Sequence, residues 1–263
     1  MTDAGRLARR RQFIHGLIEV DVTETRRLIR NYRLLTGKPL SMTAYVAWCL
    51  AQAVERDKSV QAMRAWGNRL VIFDDVDVYM PIEIDLDDRK FPYLHTLRNV
   101  NNRTPEDVDA EIRAVKANPG SSGSAGTWRH LQWFVRLPSF VRFLFQWAVF
   151  SNPNWVKRHA GTVELTAVGM FGRGGGWGFY NPNHTLAVVI GGVVKKPGVV
   201  NGNIEVREYL DLSVQIDHDI IDGGPAARFS SQLRELIESG HGLEAAAPLA
   251  APSRLETAPG GHS

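Results

Sequence analysis

Apolar and β-branched residues gather at positions 13–20 and predict a strand; Asp21, with Glu24 three residues on, then matches a capping box that opens a helix to about Leu35. Ser41 and Thr43 precede a second, more apolar helix expected over 43–56. Residues 70–73 and 76–84 are rich in β-branched and aromatic side chains and bounded by aspartates, the pattern of two strands. Thr104-Pro105-Glu106-Asp107 supplies a capping threonine, a proline at the first helical position and acids in the first turn, so a helix should run to about Ala117. The second half is rich in strand formers: strands are expected at 161–168, 186–194, 203–206 and 209–216, and Gly224-Pro225 opens a closing helix to about Glu238. No internal repeat is visible.

Two stretches break this pattern. Residues 118–126 are rich in glycine and serine and read as a flexible connection. Residues 128–150 then carry eight aromatic side chains. The length would suit a membrane span, but Arg129, Arg136 and Arg142 would each cost roughly 2.5–3.5 kcal/mol near the centre of a membrane helix, which argues against a simple span. With Gln132, Ser139 and Gln146 these arginines form a narrow polar stripe at helical spacing, and Pro138 marks a kink or break. The wide apolar face needs cover: the rest of the protein, a neighbouring subunit, a greasy substrate beneath a lid, or a membrane surface touched through 128–150.

With 263 residues, 44% of them hydrophobic and 22% charged, the chain has ample apolar material for a packed core and is not disordered throughout. One domain is expected over 1–240, with a helical aromatic-rich insertion at 127–158 and a disordered Ala/Pro/Gly-rich tail over 241–263. The net charge of +3 is too small to imply nucleic-acid binding without a concentrated basic patch. Arg6, Arg9, Arg10 and Arg11, with Arg26, Arg27, Arg30 and Arg33, read first as a solvated basic face and second as a phosphate-contacting one. Cys49 is the only cysteine, set on what reads as the buried face of a helix, so no intrachain disulfide can form. The first 20 residues lack the apolar run of a secretory signal, and a cytoplasmic location is expected.

The densest cluster of chemically useful residues is Asp217-His218-Asp219-Ile220-Ile221-Asp222-Gly223, where an alternating strand meets a glycine-rich turn. A histidine there is a candidate general base; a His between two Asp residues is equally a common surface turn. Metal readings fail on residue type. A His-x-Asp iron site would need Asp at position 220, which is Ile, and no His/Cys spacing matches a zinc site. Gly172-Arg173-Gly174-Gly175-Gly176-Trp177-Gly178 satisfies neither nucleotide-binding spacing and reads as a mobile turn.

The 217–223 segment resembles the His-x-x-x-Asp-Gly signature of the chloramphenicol acetyltransferase-like superfamily. Its flanks are similar to the catalytic domain of 2-oxoacid dehydrogenase acyltransferases, the E2 components. Gly161-Thr162-Val163-Glu164-Leu165-Thr166-Ala167-Val168-Gly169-Met170-Phe171-Gly172 resembles that family's strand ending in Gly-Met-Phe-Gly, and 20–23, 191–197 and 226–229 also agree. The resemblance covers roughly 13–239. It implies an α/β fold, a chloramphenicol acetyltransferase-like two-layer sandwich of mixed β-sheet and helices, assembled as a homotrimer with active sites between subunits. By the same resemblance His218 is the general base acting on a thiol, Thr166 donates to the tetrahedral oxyanion across the subunit boundary, Asp222 holds the histidine loop, and coenzyme A is the co-substrate.

Departures shape the expectation. Asp219 stands where the family often has Arg and adds a negative charge beside the base, and Ala167 replaces the family's Asn. No lipoyl segment precedes the core, so the chain would carry no covalent lipoyl group of its own, and a plain trimer is expected. The leading expectation is a standalone CoA-dependent acyltransferase acting on a small-molecule or carrier thiol, amine or hydroxyl, with no metal. The alternatives are a lipoyl-dependent E2 core using a lipoyl domain on another chain, a repurposed or non-catalytic trimeric scaffold, and a membrane-surface enzyme.

Overall fold

The computed structural model describes residues 11–67, 69–86, 89–118, 151–168 and 174–243. Its elements run β1 (Phe13–Asp21), α1 (Thr23–Thr36), α2 (Met42–Arg56), β2 (Met63–Ala65), β3 (Arg69–Val71), β4 (Val78–Leu86), β5 (Arg89–Leu97), α3 (Pro105–Ala117), α4 (Pro153–Ala160), β6 (Val163–Ala167), β7 (Leu186–Val200), β8 (Asn203–Asp217) and α5 (Gly223–Glu238). Short 3-10 turns occupy Lys58–Gln61 and Val100–Asn102. The aromatic block at 128–150, the arginines at 6, 9 and 10, and 244–263 of the tail lie outside the described residues.

Six strands form one mixed sheet in the order β1-β8-β7-β6-β4-β5, and β2 and β3 pair separately. β4, β6 and β7 are parallel neighbours; the other pairs are antiparallel. The helices pack on this sheet, α5 against β1 and α3 against β4, with α2 wedged between α3 and α5. This is the two-layer α/β arrangement expected. α2 is apolar nearly all round because it is enclosed, with ten of its residues buried. Cys49 lies among them, and burial pushes its thiol up to about 12.

Three local readings change. Residues 203–206 and 209–216 belong to one strand: Arg207 and Glu208, which look like a break, are registered opposite Lys196 and Lys195 in a ribbon open to water. The ribbon turns at Asn201 and Gly202, whose φ of 50° and 81° suit the tight hairpin their side chains allow. β1 ends its pairing with β8 at Asp21↔Tyr209, so beyond that point the ribbon has two strands only. The Asp21–Glu24 capping box does not form. Val22 is the N-cap, Asp21 instead accepts from the Thr23 N–H at 3.0 Å and from Arg207 Nε at 2.8 Å, and Glu24 pairs with Arg27. At Thr104 and Asp107 the expected box is present. β5 was not foreseen because Pro92 and its charges look unlike a strand, yet it is the sheet edge, where a missing donor is tolerated.

No helix among the described residues is long and apolar enough to cross a membrane.

Candidate functional site

β8 delivers His218 to the end of the sheet. Asp217, the last strand residue, is buried and holds the turn that follows: its carboxylate accepts the Asp219 N–H at 3.0 Å, and its carbonyl accepts from Ile220 and Ile221 at 3.1 and 3.0 Å. The His218 N–H donates to the Gln12 carbonyl at 2.7 Å. Burial pushes the Asp217 carboxyl up, against the pull of Arg11, whose Nη1 lies 3.7 Å away. The His218 side chain is exposed, and among the described residues its ring has no hydrogen-bond partner. Asp222 is the exposed N-cap of α5; its carbonyl accepts the Ala226 N–H at 3.1 Å, but its carboxylate makes no capping bond. Within one chain the carboxylate seen bonded into the histidine turn is that of Asp217. Beside the turn, Ile14, Gly16, Ile216, Gly223, Ala226 and Ser230 line an apolar groove of about 340 Å³.

Thr166 is half-buried near the end of β6, on the wall of a cavity of about 460 Å³ that also meets Thr43, Pro81, Ile82, Lys116 and Val168. Its hydroxyl faces the side of the sheet opposite the helices, the face shared with Glu164 two residues earlier.

Thr166 and His218 do not meet within a chain. Thr166 is opposite Val189 and Val189 opposite Ser213, whereas Asp217 lies four residues further along β8. That separates the two ends by roughly 13 Å along the strands and about 10 Å across two strand spacings. Because β6 and β8 run in opposite directions, the two residues lie at opposite strand ends of the sheet.

One cluster beside the site was not singled out from the sequence. Glu164 and His184 are both buried, with Nδ1 of His184 3.5 Å from Oε2 of Glu164. The Asn183 N–H donates to the same carboxylate oxygen at 3.2 Å. Burial alone would raise the Glu164 carboxyl, but the His184 charge and the bonds from Asn183 and Tyr180 hold it below its ordinary value. Burial, helped by this carboxylate, pushes Tyr180 up, and the same two causes push Tyr79 up to about 12. The available signal was a lone acid on a strand of apolar residues. Gly174–Gly178 packs on this same face: the Gly176 N–H donates to the Asp211 carboxylate at 2.5 Å, and Trp177 Nε1 to the Ile18 carbonyl at 3.3 Å. Arg26, Arg27 and Arg11 are engaged by Glu208, Glu24 and Asp217. Among the described residues no three His, Cys, Asp or Glu side chains converge to hold a metal ion.

The arrangement places a solvent-facing imidazole at one end of the sheet and a cavity-lining hydroxyl at the other. Residues 157–244, about a third of the chain, match the sequence model of 2-oxoacid dehydrogenases acyltransferase (catalytic domain). A lipoamide acyltransferase component of the branched-chain alpha-keto acid dehydrogenase complex from Pseudomonas aeruginosa is 35% identical over 77 residues, 29% of this chain and 18% of that protein. Its Bacillus subtilis counterpart is 23% identical over 230 residues, 85% of this chain and 46% of that protein. The matched parts thus span under half the length of these curated relatives. Among solved structures, a probable dihydrolipoamide acetyltransferase from Listeria monocytogenes superposes with a TM-score of 0.64 at 18% identity, covering 90% of this chain and 88% of that one. The dihydrolipoamide acetyltransferase of Azotobacter vinelandii does so with a TM-score of 0.66 at 17% identity, covering 92% and 88%. Residues 157–244 thus match the catalytic-domain model of the 2-oxoacid dehydrogenase acyltransferases, and the described residues share the fold of these two dihydrolipoamide acetyltransferase structures.

Proposed function

We propose that the protein transfers an acyl group between a dihydrolipoyl thiol and the thiol of coenzyme A, with the lipoyl group presented by a lipoyl domain. The observation that carries this reading is His218, held by a buried Asp217 on a strand-end turn inside the segment that matches the acyltransferase catalytic domain. His218 removes the proton of the attacking thiol as the sulfur bonds to the thioester carbonyl carbon. The carbonyl oxygen becomes an oxyanion that accepts from the Thr166 hydroxyl of a neighbouring copy. Collapse expels the second sulfur as thiolate, which takes the proton back from His218. Asp222, exposed and free of capping duty, faces outward at the same turn and is assigned to ordering it in the assembly.

The separation of Thr166 from His218 supports a homotrimer with sites between copies, since each site needs one residue from each side. The names of the relatives support the lipoyl-dependent reading over a standalone acyltransferase acting on an unrelated acceptor. The test measures acyl-CoA formation from acylated dihydrolipoamide and coenzyme A by wild type and His218→Ala. Turnover lost in the variant is expected; equal inertness of both proteins across acetyl, branched-chain and succinyl donors would sink the reading.

A further inference from the structure

β4 and β6 are registered for only two pairs, Val78↔Val163 and Tyr79↔Glu164, although β4 continues to Leu86 and β6 to Ala167. The start of the pair is clamped. The N–H groups of Thr162 and Val163 both donate to the Asp77 carbonyl, at 2.8 and 3.2 Å, and the Asp77 N–H donates to Thr162 Oγ1 at 3.0 Å. Gly161 adds to the close approach, since a Cβ there would stand 2.6 Å from the same Asp77 oxygen.

The end of the pair has a chemical cause. Backbone groups of successive strand residues point alternately to the two neighbours. The Val168 N–H donates to Ile190 of β7 at 2.9 Å, so Glu164 and Thr166 also face β7, while Val163, Leu165 and Ala167 face β4. After Tyr79, the next rung would run from the N–H of residue 81 to the Leu165 carbonyl. Residue 81 is proline and has no N–H. The ladder stops, the strands part, and the 460 Å³ cavity opens in the gap, with Pro81 on one wall, Thr166 and Ala167 on the other, and Thr43 and Lys116 towards the helix layer.

We propose that Pro81 is a positioning residue: by withholding one hydrogen-bond donor it stops β4 from zipping onto β6 and holds open the gap in which a pantetheine-type thioester arm lies against Thr166. The inference rests on the acyl-transfer reading above and deepens it. An extended arm bearing two amides is the chemistry the walls fit, because the Leu165 carbonyl and the Ala167 N–H and carbonyl face the gap with no β4 rung to satisfy them, as the edge of a sheet receives an added strand.

The test substitutes Pro81→Ala, which supplies the donor while removing bulk, so crowding cannot explain a loss. Hydrogen exchange reads whether the N–H of residue 81 becomes protected, calorimetry reads binding of S-acetylpantetheine, and the assay above reads transfer. The expected result is a protected amide, binding at least tenfold weaker, kcat/KM for coenzyme A down by 10- to 100-fold, and a thermal midpoint unchanged or raised. A proline serving only stability would instead lower the midpoint and leave pantetheine affinity alone. Protection with undiminished binding, or an unprotected amide, would overturn the proposal. Absence of both binding and transfer in the unsubstituted protein would overturn the acyl-transfer reading and the arm with it, an outcome distinguishable from failure of Pro81→Ala alone.

Discussion

The carbonyl oxygen of Gly176 lies 2.1 Å from the point where a Cβ on Gly191 would stand. The contact is mirrored next door, where a Cβ on Gly192 would stand 2.2 Å from the Gly174 oxygen. The β7–β8 ladder shifts register between Ile190 and Val193, so these two glycines form a bulge and the 174–178 loop lies directly on it. Gly191→Ala must therefore lift backbone off backbone. A loss of about 1–3 kcal/mol is expected, or a fall in thermal midpoint of about 2–4 °C per kcal/mol for a chain of this size. An unchanged midpoint would show that the loop does not rest on the bulge.

Glu164 gives a pH signature. Its folded-state carboxyl lies below the ordinary value of 4.5, so its contribution is complete above about pH 4.5 and is lost as pH falls through the lower folded value. Glu164→Gln is expected to lower stability at pH 7 by about 1–3 kcal/mol, the usual cost of disturbing a buried polar group and its hydrogen-bond partner. Denaturation curves should show the gap to wild type narrowing below pH 4.5 and closing in stronger acid. A gap constant down to pH 3 would mean that the carboxylate charge is not what His184 and Asn183 respond to.

Thr166→Ala removes the hydroxyl proposed as oxyanion donor and nothing from the core, since the side chain is half-buried at a cavity wall. The expected fall in kcat is about 10²- to 10³-fold, with KM for acyl-CoA nearly unchanged, and Thr166→Ser should retain most turnover. Equal kcat for Thr166→Ala and wild type would remove the assigned role.

The opposed positions of Thr166 and His218 allow a mixing experiment. Thr166→Ala and His218→Ala chains, each inactive alone, are co-expressed at equal levels. If sites are shared between copies, about a quarter of the interfaces receive both intact residues, and activity should recover to about that fraction of wild type. A mixture as inactive as its components would place both residues of a site on one chain.

Much of the architecture was legible because its signals are local. Thr104, Pro105 and Asp107 specify a helix start whatever surrounds them. The histidine turn was legible for the same reason, being contiguous from Asp217 to Gly223. What could not be read is non-local. Asp21 looked like half a capping box until Arg207, from the far end of the chain, claimed its carboxylate. Glu164 and His184 lie 20 positions apart and become a pair only through the β6–β7 register. Pro81 sits unremarked inside the strand expected over 76–84, and its meaning depends on which strand lies beside it.

The two rungs between β4 and β6 also bear on how the molecule coheres. Hydrogen bonding divides the sheet into a four-strand block, β1-β8-β7-β6, and the β4-β5 hairpin, with a seam between them. α5 lies on the first block and α3 on the second, and α2, packed against both helices, spans the seam like a splint. The integrity of the sheet is thus carried by helix side chains. Conservative changes on the buried faces of α2, such as Ala47 or Leu50, should loosen the β4-β5 hairpin before they disturb any strand they resemble in hydropathy.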